Sequence, residues 1–228
     1  MTTKKRGKFI TIEGGDFSGK STLINNLKSY FTKEDNFKYT REPGNKLRAH
    51  TGFNPCENIR HMLLNKDCFD IEEQAKLLAA SREIHTNDII GLINQGYNII
   101  CDRYVLSSFA YQGYAGDEGY WSILKLNERP LRDLYRNEIE LNIILLKVSD
   151  ETYNKRKELR KETSDLDVIE SKSEEYFNMV NEFYNKDIYK DYLPADFVNV
   201  KVYEINADKS IEEVFEEGKQ IINNILNK

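Results

Sequence analysis

The sequence holds few of the residues that staple or interrupt a fold: three cysteines and four prolines in 228 residues. Cys56, Cys68 and Cys101 have neither an even count nor a C-x-x-C spacing. That excludes a disulfide framework or a zinc site of the usual spacing and reads as reduced thiols. No apolar run approaches the roughly 20 residues that cross a bilayer, and the lysine-containing start lacks the apolar centre of a secretory signal. A soluble cytoplasmic protein without membrane partners is expected. Neither an internal repeat nor a low-complexity linker is present. His50, His61 and His85 show no ligand or triad spacing and read as ordinary surface or half-buried residues. Excess positive charge is missing too: a formal net charge of −5 argues against a nucleic-acid partner and leaves a local basic pocket to be sought.

What is present is enough apolar sequence, 39% of the chain, to close one sizeable core, so one domain over 1–228 is expected. Short apolar runs alternate with helix-like stretches, the pattern of a parallel sheet with crossover helices. Strands are expected at Phe9–Ile12, Phe37–Thr40, Asn98–Cys101, Asn142–Val148 and Lys201–Ile205. Helices are expected at Lys20–Phe31, at Ile71–Gln95 ended by Gly96, and around Tyr176–Tyr192. Ser210, with Glu213 three residues on, forms a capping box for the last helix. The charged stretch Lys155–Glu175 holds few core candidates and reads as a flap.

Directly after the first strand comes Gly14-Gly15-Asp16-Phe17-Ser18-Gly19-Lys20-Ser21, which satisfies G-x-x-x-x-G-K-[ST], with Thr22 following. Its glycines let the backbone turn its N–H groups inward around a phosphate. Lys20 supplies a cation for the β and γ phosphates, Ser21 a hydroxyl for Mg²⁺, and the next helix its positive end. Binding of ATP or GTP follows. A guanine-reading N-K-x-D segment is missing, because Asn65-Lys66-Asp67-Cys68 and Asn185-Lys186-Asp187-Ile188 lack the last aspartate. Asp88-Ile89-Ile90-Gly91 lies inside a predicted helix. A GTPase is therefore disfavoured.

The second and third strands run into Thr40-Arg41-Glu42-Pro43-Gly44 and Asp102-Arg103-Tyr104. Both arginines fall at strand C-terminal ends, on the edge where open α/β sheets hold ligands. Two guanidiniums there exceed the need of one triphosphate, so a second anion is implied, clamped by Arg41 and Arg103 in line with the γ phosphate. Asp102 is placed to hold Mg²⁺.

At this point the sequence resembles the thymidylate kinases. The likeness is carried by Ile12-Glu13-Gly14, Thr40–Gly44, Ile59-Arg60 with Leu63-Leu64, Leu77–Arg82, Asp102–Tyr104 continuing through Ser107–Gly113, Asn206-Ala207 and Ile211–Val214. It implies a three-layer P-loop α/β fold with a five-stranded parallel sheet, helices on both faces and a helical lid at about 155–172. It also implies transfer of the ATP γ phosphate to dTMP, and a homodimer formed through helices that include the long one. By resemblance Asp16 lies near the acceptor sugar and phosphate, Arg82 reads the thymine edge, and Ser108, Tyr111 and Gln112 line the sugar and base, with Tyr111 disfavouring a 2′-hydroxyl. Leu78 stands where the family usually has a stacking phenylalanine, so another deoxynucleoside monophosphate (dUMP, a modified dUMP or a purine) is the alternative substrate. A silent nucleotide-binding regulator is the alternative of another class. Asn45 replaces a glycine, and Leu106 and Lys147 replace common aspartates. Phe17 occupies the loop position where some members carry a transition-state arginine, which makes Arg156 and Arg160, i,i+4 partners on one helical face, the catalytic candidates in the lid.

Overall fold

The computed structural model describes residues 5–32, 35–48, 52–65, 68–161 and 172–227, without the side chains of residues 160 and 161. Five strands, β1 (Phe9–Glu13), β2 (Phe37–Arg41), β3 (Asn98–Asp102), β4 (Leu141–Lys147) and β5 (Val200–Asn206), pair in parallel in the order β2-β3-β1-β4-β5. The register sets Ile12 beside Asp102 and Ile144, and Arg41 beside Asp102. Every residue of β1 and all but the last of β4 are buried, as a central strand covered on both faces requires.

Eight α-helices surround the sheet among the described residues: α1 (Lys20–Tyr30), α2 (Pro55–Asn65), α3 (Ile71–Asn94), α4 (Val105–Ser108), α5 (Gly119–Arg136), α6 (Asp150–Lys161), α7 (Glu174–Asn185) and α8 (Ile211–Leu226). α1 packs with α8 and α3 with α5. The five expected strands appear within about one residue of their expected ends, a margin typical of strand boundaries. Ser210 and Glu213 form the expected capping box, and Asp88 lies inside α3, where no switch loop can form.

Two expectations need correction. The helix expected through Tyr192 ends at Asn185, because Asp187 turns into the left-handed region (φ 63°) before a 3₁₀ turn at Ile188–Tyr192; Asp tolerates that conformation where most residues do not. His85 is not half-buried but fully enclosed. Of the stretch 155–175 expected as a flap, residues 155–161 belong to α6 and Glu174 and Glu175 begin α7, while residues 162–171 lie outside the described residues, as does His50. All three cysteines are free thiols.

Candidate active site

The phosphate loop is built as its sequence demands. Gly14 (φ 142°) leads in, and a Cβ there would stand 2.6 Å from the Leu146 carbonyl oxygen. Gly19 (φ 95°) begins α1 in a left-handed turn. Lys20 folds back into the loop: its Nζ donates to the carbonyls of Gly14 (3.0 Å) and Gly15 (2.6 Å) and approaches Ser18 Oγ (3.5 Å). Burial, with the nearby Arg103 cation, pulls its pKa down to about 8, against the opposite pull of Asp16, Asp102 and Glu13.

Arg103 follows β3 in the left-handed region (φ 64°), which turns its side chain back over the loop. Nη1 donates to the Gly14 carbonyl (3.0 Å) and Ser107 Oγ (3.1 Å); Nη2 donates to Asp16 Oδ1 (2.5 Å) and Tyr111 Oη (3.1 Å). Tyr111 in turn donates to Asp16 Oδ2 (2.8 Å). Burial works to raise the Asp16 pKa, but Arg103, Lys20 and the hydrogen bond from Tyr111 outweigh it and hold the carboxyl below its ordinary value. Arg41, at the end of β2, pairs with Glu57 (2.7 Å) and keeps a buried Nε without a partner.

Two cavities open along this edge. One, about 600 Å³, is lined by the loop residues Phe17, Lys20, Ser21 and Thr22 and by Arg156. The other, about 180 Å³, takes in Arg41, Leu78, Arg82, Ser108, Tyr111 and Gln112. Asp16, Asp102 and Arg103 line both. The expected residues of the two anion sites are therefore brought together on either side of three shared side chains.

Unmet polar atoms mark what the walls can still hold. Asp102 Oδ1 is buried with no partner, and Ser21 shares its cavity; a carboxylate and a hydroxyl are ligands that suit a hard cation such as Mg²⁺. Gln112 Oε1 is a second buried acceptor with no partner. It stands on a widened π turn, Phe109–Tyr114, that follows α4. Such turns often occur at functional sites.

A family model, Thymidylate kinase, matches residues 12–217. This chain belongs to the thymidylate kinase family. It is 34% identical over 225 residues to the thymidylate kinase of Clostridium novyi (strain NT), covering 94% of the chain and 97% of that relative. It is likewise 34% identical over 231 residues to the thymidylate kinase of Caldicellulosiruptor saccharolyticus (strain ATCC 43494 / DSM 8903 / Tp8T 6331), covering 98% and 99%.

Within this thymidylate kinase scaffold, Arg156 of α6 lies on the phosphate loop, donating to the carbonyls of Phe17 (3.2 Å) and Ala207 (2.8 Å). Arg160 lies in α6, but its side chain is outside the described set. Leu78 lines the smaller cavity with Leu64 and Pro43, an aliphatic wall in place of an aromatic one. Arg82 is buried there, its guanidinium held by Glu42, Asn127 and Ser108. Sequence reasoning named Arg60 for the resemblance without giving it a role, and it is a further cation on that wall that donates to the Pro43 carbonyl (2.9 Å); it missed Glu57, which braces Arg41. Glu57 lies one helical turn before Arg60, which placed it near the resemblance-bearing segment but did not reveal its partner. Glu13, likewise named only for the resemblance, accepts with its carboxylate from the Tyr104 amide (2.6 Å) and the Ser107 hydroxyl (2.7 Å) and so fixes the turn that carries Arg103.

Proposed function

We propose that this chain transfers the γ phosphoryl group of ATP to dTMP, giving dTDP and ADP. The observation that carries this reading is the pair of cavities meeting at Asp16, Asp102 and Arg103: one suits a triphosphate in the glycine loop, the other a nucleoside monophosphate. Phosphoryl transfer needs positioning and charge neutralisation more than a protein base. In this reading Lys20 and the loop amides hold the β and γ phosphates, and Arg41 and Arg103 hold the acceptor phosphate in line with them. Ser21 and Asp102 hold Mg²⁺, which when bound neutralises charge on the transferring group. Arg156, and Arg160 beside it, contribute lid charge from 155–172. Asp16 then exchanges its hold on Arg103 for contacts with the acceptor.

For the base, Arg82 and Gln112 both line the smaller cavity, and the unpartnered Gln112 acceptor suits a pyrimidine N–H. The aliphatic Leu78 and Leu64 supply apolar contact without aromatic stacking, which forgoes about 0.5–1.5 kcal/mol beyond area. That favours, as a second reading, a kinase for another deoxynucleoside monophosphate. The chain acts as one catalytic domain, in the cytoplasm and without nucleic acid. A homodimer through α3 is supported by its outward Leu77, Ala80 and Ile84, which are not buried; sedimentation as a monomer at micromolar concentration would remove it. No described helix is long and apolar enough to cross a membrane.

A coupled ADP-release assay over dTMP, dUMP, dCMP, dAMP and dGMP tests the assignment. The highest kcat/KM is expected for dTMP, and Lys20→Ala is expected to leave a folded protein without turnover. Faster turnover of dUMP or a purine nucleotide would transfer the assignment to the second reading, and no turnover with any acceptor would end both.

A further inference from the structure

The interior side of Arg82 carries a polar chain that the phosphate-transfer reading does not use. β2 alternates its side chains, so Thr40 and Glu42 point to one face while Arg41 points to the other. On α3, Arg82 and His85 are i,i+3 neighbours on one face. The strand end and the helix meet through these four side chains. Arg82 Nε donates to Glu42 Oε2 (2.7 Å), His85 Nδ1 lies 2.9 Å from Glu42 Oε1, and Thr40 Oγ1 lies 2.8 Å from His85 Nε2. Glu42, Arg82 and His85 are all more than nine-tenths buried.

The proton positions follow from counting donors. Thr40 Oγ1 already accepts from the Lys46 amide (3.2 Å), and the hydrogen of its hydroxyl finds an acceptor at His85 Nε2. His85 then carries its proton on Nδ1 and donates it to Glu42, leaving the second carboxylate oxygen for Arg82. Each member thus orients the next, from Thr40 through His85 and Glu42 to Arg82.

We propose that His85 and Glu42 are positioning residues for substrate selection: they fix the Arg82 guanidinium against the base end of the cavity, and they tie that position to the strand end that bears Arg41. The acceptor's base and its phosphate are thereby gripped from one rigid unit. This inference rests on the reading that the smaller cavity takes the nucleoside monophosphate with its base toward Arg82.

Steady-state kinetics with dTMP at saturating ATP, and with ATP at saturating dTMP, test it in His85→Leu, His85→Asn, Glu42→Gln and Arg82→Lys. His85→Leu removes both ring contacts and is expected to raise the dTMP KM about tenfold, the scale of one lost hydrogen bond to a charged group, with the ATP KM unchanged. His85→Asn places an N–H where Nδ1–H stood and is expected to restore most of the dTMP KM. Equal damage to ATP and dTMP parameters, or no recovery in His85→Asn, would overturn the relay in favour of simple packing. Should His85→Leu not fold, Glu42→Gln carries the test, and a wild-type dTMP KM in that enzyme overturns the proposal. Arg82→Lys separates this from the reading beneath it: a wild-type dTMP KM there means the base does not meet Arg82. A raised one beside unaffected Glu42 and His85 variants means only the relay is wrong.

Discussion

Glu13 is a carboxylic acid sealed inside the molecule at the root of the catalytic turn, and burial pushes its pKa up to about 7 against the hydrogen bond from Ser107, the Arg103 charge, the Tyr104 amide and Lys20. Protonation does not break its contacts. The Tyr104 amide still finds an oxygen, and the Ser107 hydroxyl can rotate to accept the new proton and donate toward Tyr184 Oη, 3.5 Å away. The folded state therefore holds a proton that the unfolded chain has released between about pH 4.5 and 7. This contribution to stability is fully present below the unfolded value and is lost as pH rises through 7. Glu13→Gln reproduces the protonated shape and does not titrate. In urea unfolding at pH 5 and pH 8, the wild-type protein is expected to lose about 2–3 kcal/mol relative to that variant. A constant difference between the two proteins across this range would mean that Glu13 stays ionised throughout.

At the scale of elements, α3 determines much of the site, because one helix carries Leu78 and Arg82 into it and His85 behind them. Its start is fixed by Asp70, which accepts from the Glu73 amide while Glu73 accepts from the Asp70 amide. Asp70→Ala is expected to cost about 1 kcal/mol in equilibrium unfolding, with kcat and both KM values retained, since the cap lies three turns from Arg82. A fall in kcat without a loss of stability would contradict that separation of roles. Strands and long helices were legible because their signal is local: continuous apolar runs for β1 and β4, and a long helix-like stretch ended by Gly96 for α3. The glycine loop and the strand-end arginines were legible for the same reason, as motif and position sit together in the chain. The break at Asp187 was legible in principle, from Asn185-Lys186-Asp187, but the aromatic periodicity on either side outweighed it. The enclosure of His85 was visible as well, because Leu78, Arg82, His85 and Ile89 follow the three-and-four spacing of a buried helix face. What the sequence could not supply was partnership: Glu42 with His85, Glu57 with Arg41 and Glu13 with Tyr104 join segments whose meeting depends on the whole sheet.

On the scale of the molecule, Arg156 links three distant segments. From α6 it reaches the phosphate loop at Phe17 and the turn after β5 at Ala207, so α6, the phosphate loop and the edge of the sheet are held by one guanidinium. Phe17, which brings no charge to the loop, instead packs edge-on against Tyr153 of the same helix at 5.5 Å. The loop thus receives apolar packing from its own residue and positive charge from α6. A cation aimed where charge develops on the transferring group is worth far more there than in water, and removing one such contact costs about 10²–10³ in kcat. Arg156→Ala is expected to lower kcat on that scale while leaving the dTMP KM within about twofold, because Arg156 is not among the residues that line the smaller cavity. Arg156→Lys is expected to recover little, since a single ammonium nitrogen replaces the two separate nitrogens, Nη1 and Nη2, that reach the two carbonyls. If Arg156→Ala and Arg160→Ala together leave kcat unchanged, the charge that stabilises transfer is supplied by Lys20 and Arg103 without help from the lid.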